Sequence, residues 1–171
     1  MTRRADGGDS PGPARRRIRL RLEESPRPAA VILRLMANPP AGYPRVSPYL
    51  LYEDAAAAVD YLKRTFGFEL RRSSIGGAGR THYEIVLGED GLVMVGQAGE
   101  AFSSPRTLGS FPPSMIHVYV DDVTALHKCA TEAGAEVTEL ELSPAADRRF
   151  TATDPEGQLW VFAQRVGSAS D

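Results

Sequence analysis

The chain has 171 residues, a length that suits one domain or a tightly fused pair of half-domains. Its charged fraction is 25% and its formal net charge −2, so no whole-chain field draws it to nucleic acid or to a membrane surface. The single cysteine, Cys129, excludes an internal disulfide framework and a cysteine-cluster metal site, and no apolar run approaches the ~20 residues of a membrane span.

Residues 1–43 differ in composition from the rest of the chain. Arg3-Arg4, the Pro-Gly-Pro at 11–13, Arg15-Arg16-Arg17 and then Arg19, Arg21, Arg27 and Arg34 stand among few aromatics. That composition predicts a disordered or loosely attached arm. Residues 18–22 and 29–35 are apolar enough to form a strand or short helix if something covers them. An arginine-rich arm is also the composition of a polyanion-binding segment, but a solvated leader is expected instead, so nucleic acid is not expected as a partner. Met36-Ala37-Asn38-Pro39-Pro40 is a natural start for the folded part. The N-terminus is basic but has no continuous apolar signal core, which predicts a cytoplasmic protein.

Order begins near Pro44. Residues 46–52 alternate as a strand, with Leu50 and Tyr52 on one face and Ser47, Tyr49 and Leu51 on the other; Pro48 donates no ladder hydrogen bond and marks an edge strand. Asp54 caps a helix over 55–66, whose Ala55, Val59, Leu62 and Phe66 make an apolar stripe, and Gly67 stops it. Strands are expected over 68–73, 81–87 and 92–97. Gly76-Gly77-Ala78-Gly79 serves as a hairpin loop and not a phosphate cradle, since no lysine-bearing helix comes after it. On the strand over 81–87, Tyr83, Ile85 and Leu87 form an apolar face, so His82 and Glu84 point the other way, into a cleft.

Residues 99–113 are a Ser/Pro/Gly-rich connector, and then the same order returns. A strand over 115–120 carries Ile116, Val118 and Val120 on one face, and Met115, His117 and Tyr119 on a face that suits a ligand-facing wall. Asp122 caps a helix over 123–133, in which Cys129 is expected to be buried packing and His127 surface, and Gly134 stops it. Strands come next over 136–142, 148–153 and 158–163, the last two joined by the turn Asp154-Pro155-Glu156-Gly157, and a small polar tail runs over 167–171. Asp54 corresponds to Asp122, Gly67 to Gly134 and Gly91 to Gly157. An internal repeat of this length is the strongest organisational signal in the chain.

Two βαβββ units in tandem, each with an acidic helix cap and a glycine helix stop, resemble the vicinal oxygen chelate superfamily, which includes glyoxalase I, bleomycin-resistance proteins, fosfomycin-resistance enzymes and extradiol dioxygenases. The residues that carry the resemblance are Val46-Ser47-Pro48-Tyr49-Leu50, the helix from Asp54 to Gly67, Ile116 through Asp122, and the turn and strand from Asp154 to Trp160. The likeness spans about 44–166 and is strongest to the small glyoxalase/bleomycin-resistance branch. It implies an α+β fold in which modules at about 44–98 and 113–166 form an incompletely closed, barrel-like mixed sheet with helices outside, and a homodimer that completes the concave site.

The resemblance also implies four metal-ligand positions, which fall at Ser47, Val95, Met115 and Val161. A hydroxyl, a thioether and two isopropyl groups do not replace imidazole or carboxylate as ligands for a hard or borderline divalent ion. The expectation is therefore a metal-independent small-molecule binding protein with no cofactor and no assigned catalytic residue. It would sequester a partly hydrophobic aromatic ligand, an antibiotic or secondary metabolite, in a site lined by Ser47, Tyr49, Leu51, His82, Glu84, Val95, Met115, His117, Tyr119 and Val161. The alternative is a lyase or isomerase of the same superfamily with a shifted metal on His82, Glu84 and His117. Trp160 is assigned to the core, and Arg148 and Arg149 to either a positive rim or a solvated face.

Overall fold

The computed structural model describes residues 39–167. The expectations for residues 1–38, including both apolar stretches and the start near Met36, and for the tail from 168 lie outside the described residues.

The first module runs β1 (Tyr49–Tyr52), α1 (Ala55–Phe66), β2 (Glu69–Ile75), β3 (Thr81–Leu87) and β4 (Gly91–Gln97). A connector carrying the short helix α2 (Pro105–Leu108) leads to β5 (Met115–Tyr119), α3 (Val123–Glu132), β6 (Glu136–Val137), β7 (Glu141–Leu142), β8 (Asp147–Thr153) and β9 (Leu159–Arg165). The strand orders are β1-β4-β3-β2 and β5-β9-β8-β6, with β7 also on β8, so the fold is two open mixed sheets and not a closed barrel. In each sheet the first strand pairs in parallel with the last, and the remaining pairs are antiparallel.

The repeat is built from repeated hydrogen bonds. Asp54 Oδ1 accepts from the Ala57 N–H at 3.0 Å, and Asp122 Oδ1 accepts from the Ala125 N–H at 2.9 Å. Gly67 and Gly134 both sit at φ 77°, a left-handed conformation that glycine enters without a Cβ penalty. A further pair ties each last strand to its own module's helix. Gln97 accepts from the Ala55 N–H and donates to the Glu53 carbonyl, while Gln164 accepts from the Val123 N–H and donates to the Asp121 carbonyl.

The helix-facing sides of both sheets close on one core. Leu50, Tyr52, Ile85, Val93 and Val95 from the first sheet join Phe150, Ala152, Trp160 and Phe162 from the second, with Leu62 and Phe66 of α1 between them. Phe66 meets Phe162 at a ring-centroid separation of 4.6 Å, and Phe68 meets Trp160 at 5.4 Å, so each module depends on the other for burial.

Several expectations change. The first strand begins at Tyr49, not at 46, because Pro44 and Pro48 bring no N–H to a ladder; the Pro48 carbonyl still accepts from Met94 N–H at 2.9 Å. The strand over 136–142 is broken into β6 and β7 where the Thr151 N–H turns to the Thr138 hydroxyl at 2.9 Å. The connector is not wholly irregular: Ser104 caps α2, accepting from Thr107 N–H. On α3 the positions facing the core are Val123, Leu126, His127 and Ala130, one helical stripe. Cys129 falls off that stripe and is exposed, whereas His127 lies edge-on to Phe150 at 5.0 Å and is half-buried. Among the described residues no helix is long and apolar enough to cross a membrane.

Candidate ligand-binding site

Strand pleating puts the side chains that do not face the helices on one open face per sheet. In the first sheet Tyr49 and Leu51 of β1 stand beside Met94 and Gly96 of β4, and these beside Glu84 and His82 of β3. In the second, Met115, His117 and Tyr119 of β5 stand beside Leu159, Val161 and Ala163 of β9, with Thr151 and Arg149 of β8 beyond. Tyr49 is 53% and Met115 61% exposed, and Leu51 and Tyr119 are also exposed. Ser47 precedes β1 and is half-buried.

Val95 does not belong to this face. It pairs with Leu50 and Tyr83 on the helix side and is 0% exposed. The expectation equates Gly91 with Gly157, but the second hairpin holds one residue more between that glycine and its capping glutamine. Matching Gln97 to Gln164 instead makes Met94, not Val95, the counterpart of Val161. A one-residue slip exchanges the two faces of a strand.

The first open face carries a string of polar groups. The Tyr49 ring lies flat across β4 over Gly96, where an added Cβ would come within 2.7 Å of the phenol. It thereby reaches the neighbouring strand, with its hydroxyl 3.0 Å from His82 Nδ1 and the two rings stacked at 5.3 Å. The other nitrogen, His82 Nε2, is 3.8 Å from Glu84 Oε1. Glu84 is 4% exposed, and the Tyr43 hydroxyl donates to its Oε2 at 2.9 Å and to Oε1 at 3.1 Å. Arg71 holds Tyr43 in turn, with its guanidinium 4.3 Å from the ring centroid and Nη1 donating to the Gly42 carbonyl at 2.7 Å.

The second open face has a different set. Asp147 accepts from Arg165 Nε and, at 3.2 Å, from the Tyr119 hydroxyl. The Arg165 hydrogen bond holds the Asp147 carboxyl below its ordinary range, and the same bond raises Arg165. His117 leans on the Tyr119 ring at 5.0 Å. Arg149 lies on this face, donating to Glu141 at 2.7 Å, while Arg148 falls on the opposite side beside Gln164.

Two grooves border these faces. One of about 340 Å³ is lined by Val46, Pro48, Leu92, His117 and Tyr119, where the first module meets β5. The other, of about 280 Å³, lies between Tyr49 and Leu51 of β1 and Phe102, Leu108 and Phe111 of the connector.

The donor set does not fit the metal that the resemblance implies. With the register corrected, the four positions hold Ser47, Met94, Met115 and Val161, a hydroxyl, two thioethers and an isopropyl group. The shifted set is only partly assembled: His82 and Glu84 meet, but His117 sits on the other sheet against Tyr119. Among the described residues no group of three or more His, Cys, Asp or Glu side chains is placed to hold a metal ion. Members of the two faces that the sequence pattern misses include Tyr43, Met94, Gly96, Asp147 and Arg165, and also Thr151, Leu159 and Ala163. Tyr43 falls within the expected arm, and Asp147 and Arg165 lie just beyond the expected ends of their strands.

The chain is similar to known proteins over its folded part. A family model described as the Glyoxalase/Bleomycin resistance protein/Dioxygenase superfamily matches residues 44–162. An uncharacterised protein of Mycobacterium bovis is 36% identical over 132 residues, covering 72% of this chain and 84% of the relative; a Mycobacterium tuberculosis protein is also 36% identical, with 72% and 75% covered. Among solved structures, TioX from Micromonospora sp. ML1 superposes with a TM-score of 0.54 at 29% identity, covering 71% of this chain and 99% of TioX. The fosfomycin resistance protein FosX of Listeria monocytogenes, solved with Mn(II), shares the fold at a TM-score of 0.54 and 13% identity, covering 70% and 89%. The chain belongs to the glyoxalase/bleomycin resistance protein/dioxygenase superfamily.

Proposed function

We propose that this protein is a metal-independent binding protein of the cytoplasm that sequesters a flat, partly hydrophobic small molecule, an antibiotic or secondary metabolite, between the open faces of its sheets. The observation that carries the reading is the character of those faces. Tyr49, Leu51, Met115 and Tyr119 are large apolar or aromatic side chains left exposed on sheet faces next to a few fixed polar groups. Exposed apolar area of this kind, with convergent polar contacts, marks a surface that takes up a ligand or a partner. A homodimer in which one subunit's first face meets the other's second face covers both and encloses the ligand. Aromatic stacking on Tyr49 and Tyr119 supplies the affinity, thioether packing on Met94 and Met115 adapts to shape, and no chemical step is required of the protein.

Native mass spectrometry of freshly purified full-length protein tests this directly. The expected spectrum is a dimer without stoichiometric metal that takes up one planar aromatic molecule per site on titration. A monomer that binds no such compound overturns the reading.

The second reading is an enzyme of the same superfamily with a shifted metal, although of its expected ligands only His82 and Glu84 lie together, with Nε2 and Oε1 3.8 Å apart. Elemental analysis separates the two: metal retained at one ion per subunit and lost in His82→Ala favours the enzyme.

A further inference from the structure

We infer that Tyr49 is a specificity determinant that accepts, and does not donate, a hydrogen bond from the ligand, so that the bound compound is one presenting an O–H or N–H group at its aromatic edge. This rests on the reading of the first open face as ligand-binding.

The placement of protons along Tyr49, His82 and Glu84 sets this polarity. Glu84 is buried, and the one hydroxyl proton of Tyr43 is shared between its two oxygens. A carboxylate accepts at about four lone-pair positions, so it favours a further donor from the side where His82 Nε2 stands. The tautomer that turns its Nε2–H toward this carboxylate, 3.8 Å away, leaves Nδ1 as the acceptor. Nδ1 is 3.0 Å from the Tyr49 hydroxyl, so the phenol gives its only proton to His82. What remains on Tyr49 toward the open face is a pair of lone pairs.

Gly96 shows that the arrangement is built for this reach. Without a side chain there, the Tyr49 ring crosses β4 to the next strand; any Cβ would occupy the ring's place. The counterpart of Gly96 in the second module is Ala163, and there His117, the counterpart of Tyr49, leans on Tyr119 and makes no such crossing. The two faces of the repeat therefore differ in polarity at equivalent positions. A ligand carbonyl or ether brought to Tyr49 would set lone pair against lone pair, whereas a phenol or amine N–H would complete the string.

The test uses two probes of nearly equal shape, 2-naphthol and 2-methoxynaphthalene, titrated into the full chain by calorimetry at neutral pH. Both should bind, with 2-naphthol about five- to tenfold tighter, the worth of one hydrogen bond at a partly buried site. Tyr49→Phe, which keeps the stacking ring and removes only the hydroxyl, should erase that preference. Nitrogen-15 shifts of His82 should show Nδ1 unprotonated in the free protein, and Glu84→Gln should weaken that bias. Equal binding of the two probes, or a proton on His82 Nδ1, overturns the inference while leaving ligand sequestration standing. If neither probe binds, sequestration of flat aromatics and the inference fall together.

Discussion

Tyr52 of β1 donates a 2.7 Å hydrogen bond to Asp154 Oδ2, a carboxylate 102 residues further along the chain in the last hairpin turn. Both groups are buried, and the same carboxylate accepts from Trp160 Nε1 at 3.2 Å and from the backbone N–H groups of Glu156 and Gln158 at 3.0 Å. A buried charge is tolerable only when donors surround it, and here the donors come from both modules. Burial first, and then the Asp154 charge, push the Tyr52 hydroxyl far above its ordinary value, so it stays a donor at any working pH. Tyr52→Phe should therefore cost about 1–3 kcal/mol of unfolding free energy in urea, with little change in fold. Asp154→Ala, which strands four donors, should cost more. Equal stability of Tyr52→Phe and wild type would show that the link between modules carries no energy.

Two residues beyond Asp154, Glu156 caps the first module's helix from the second module. Glu156 Oε2 accepts from Glu53 N–H and Oε1 from Asp54 N–H, both at 2.7 Å, while its own carbonyl accepts from Arg106 N–H of the connector at 3.0 Å. Gly157 comes next at φ 91°, and an added Cβ would lie 2.8 Å from the Arg106 nitrogen, so the connector closes against a residue that must lack a side chain. Glu156→Ala should lower stability by about 1–2 kcal/mol and speed hydrogen exchange at the Glu53 and Asp54 amides. Exchange that is unchanged at those two amides would contradict the cap.

Much of the fold is legible in the sequence because it is written locally. Asp54, Gly67, Asp122 and Gly134 are caps and stops that the chemistry of helix termini places, and the alternation around His117 assigns its faces without further help. The illegible part depends on contacts between distant segments. Nothing local to Tyr43 says that its hydroxyl reaches Glu84, and a Pro/Gly-rich neighbourhood argues for the arm instead. Val95 is misplaced because strand periodicity gives two faces but not which is inward, and the choice rests on a turn whose length differs between modules. The hydrogen bonds of Gln97 and Gln164 settle that register, and these glutamines look like ordinary surface residues in the sequence.

On the second open face the Asp147–Arg165 pair should make stability depend on acid. The Arg165 hydrogen bond lowers the Asp147 carboxyl in the folded state. A depressed folded value means the contribution is fully present above the unfolded value of about 4 and is lost as pH falls through the folded one. Asp147→Asn should accordingly be less stable than wild type at neutral pH, and the gap should narrow steadily below about pH 4. Urea denaturation at a series of pH values measures it, and a gap of constant size would assign the loss to packing instead.

The corrected register puts two adjacent residues of β4 on opposite faces, Val95 in the core and Met94 on the open face proposed to take the ligand. Val95 is enclosed by Leu50, Tyr83 and the shared core, so Val95→Ala should cost about 1–3 kcal/mol of stability and leave ligand affinity nearly unchanged. Met94 is half-buried beside Tyr49 and Glu84 on the open face, so Met94→Ala should cost about 1 kcal/mol or less while altering affinity for a planar aromatic probe several-fold. The pair is informative because a strand has only two faces: if Val95→Ala changed binding and Met94→Ala changed stability, β4 would have to be turned over, and Gly96 could no longer lie beneath the Tyr49 ring.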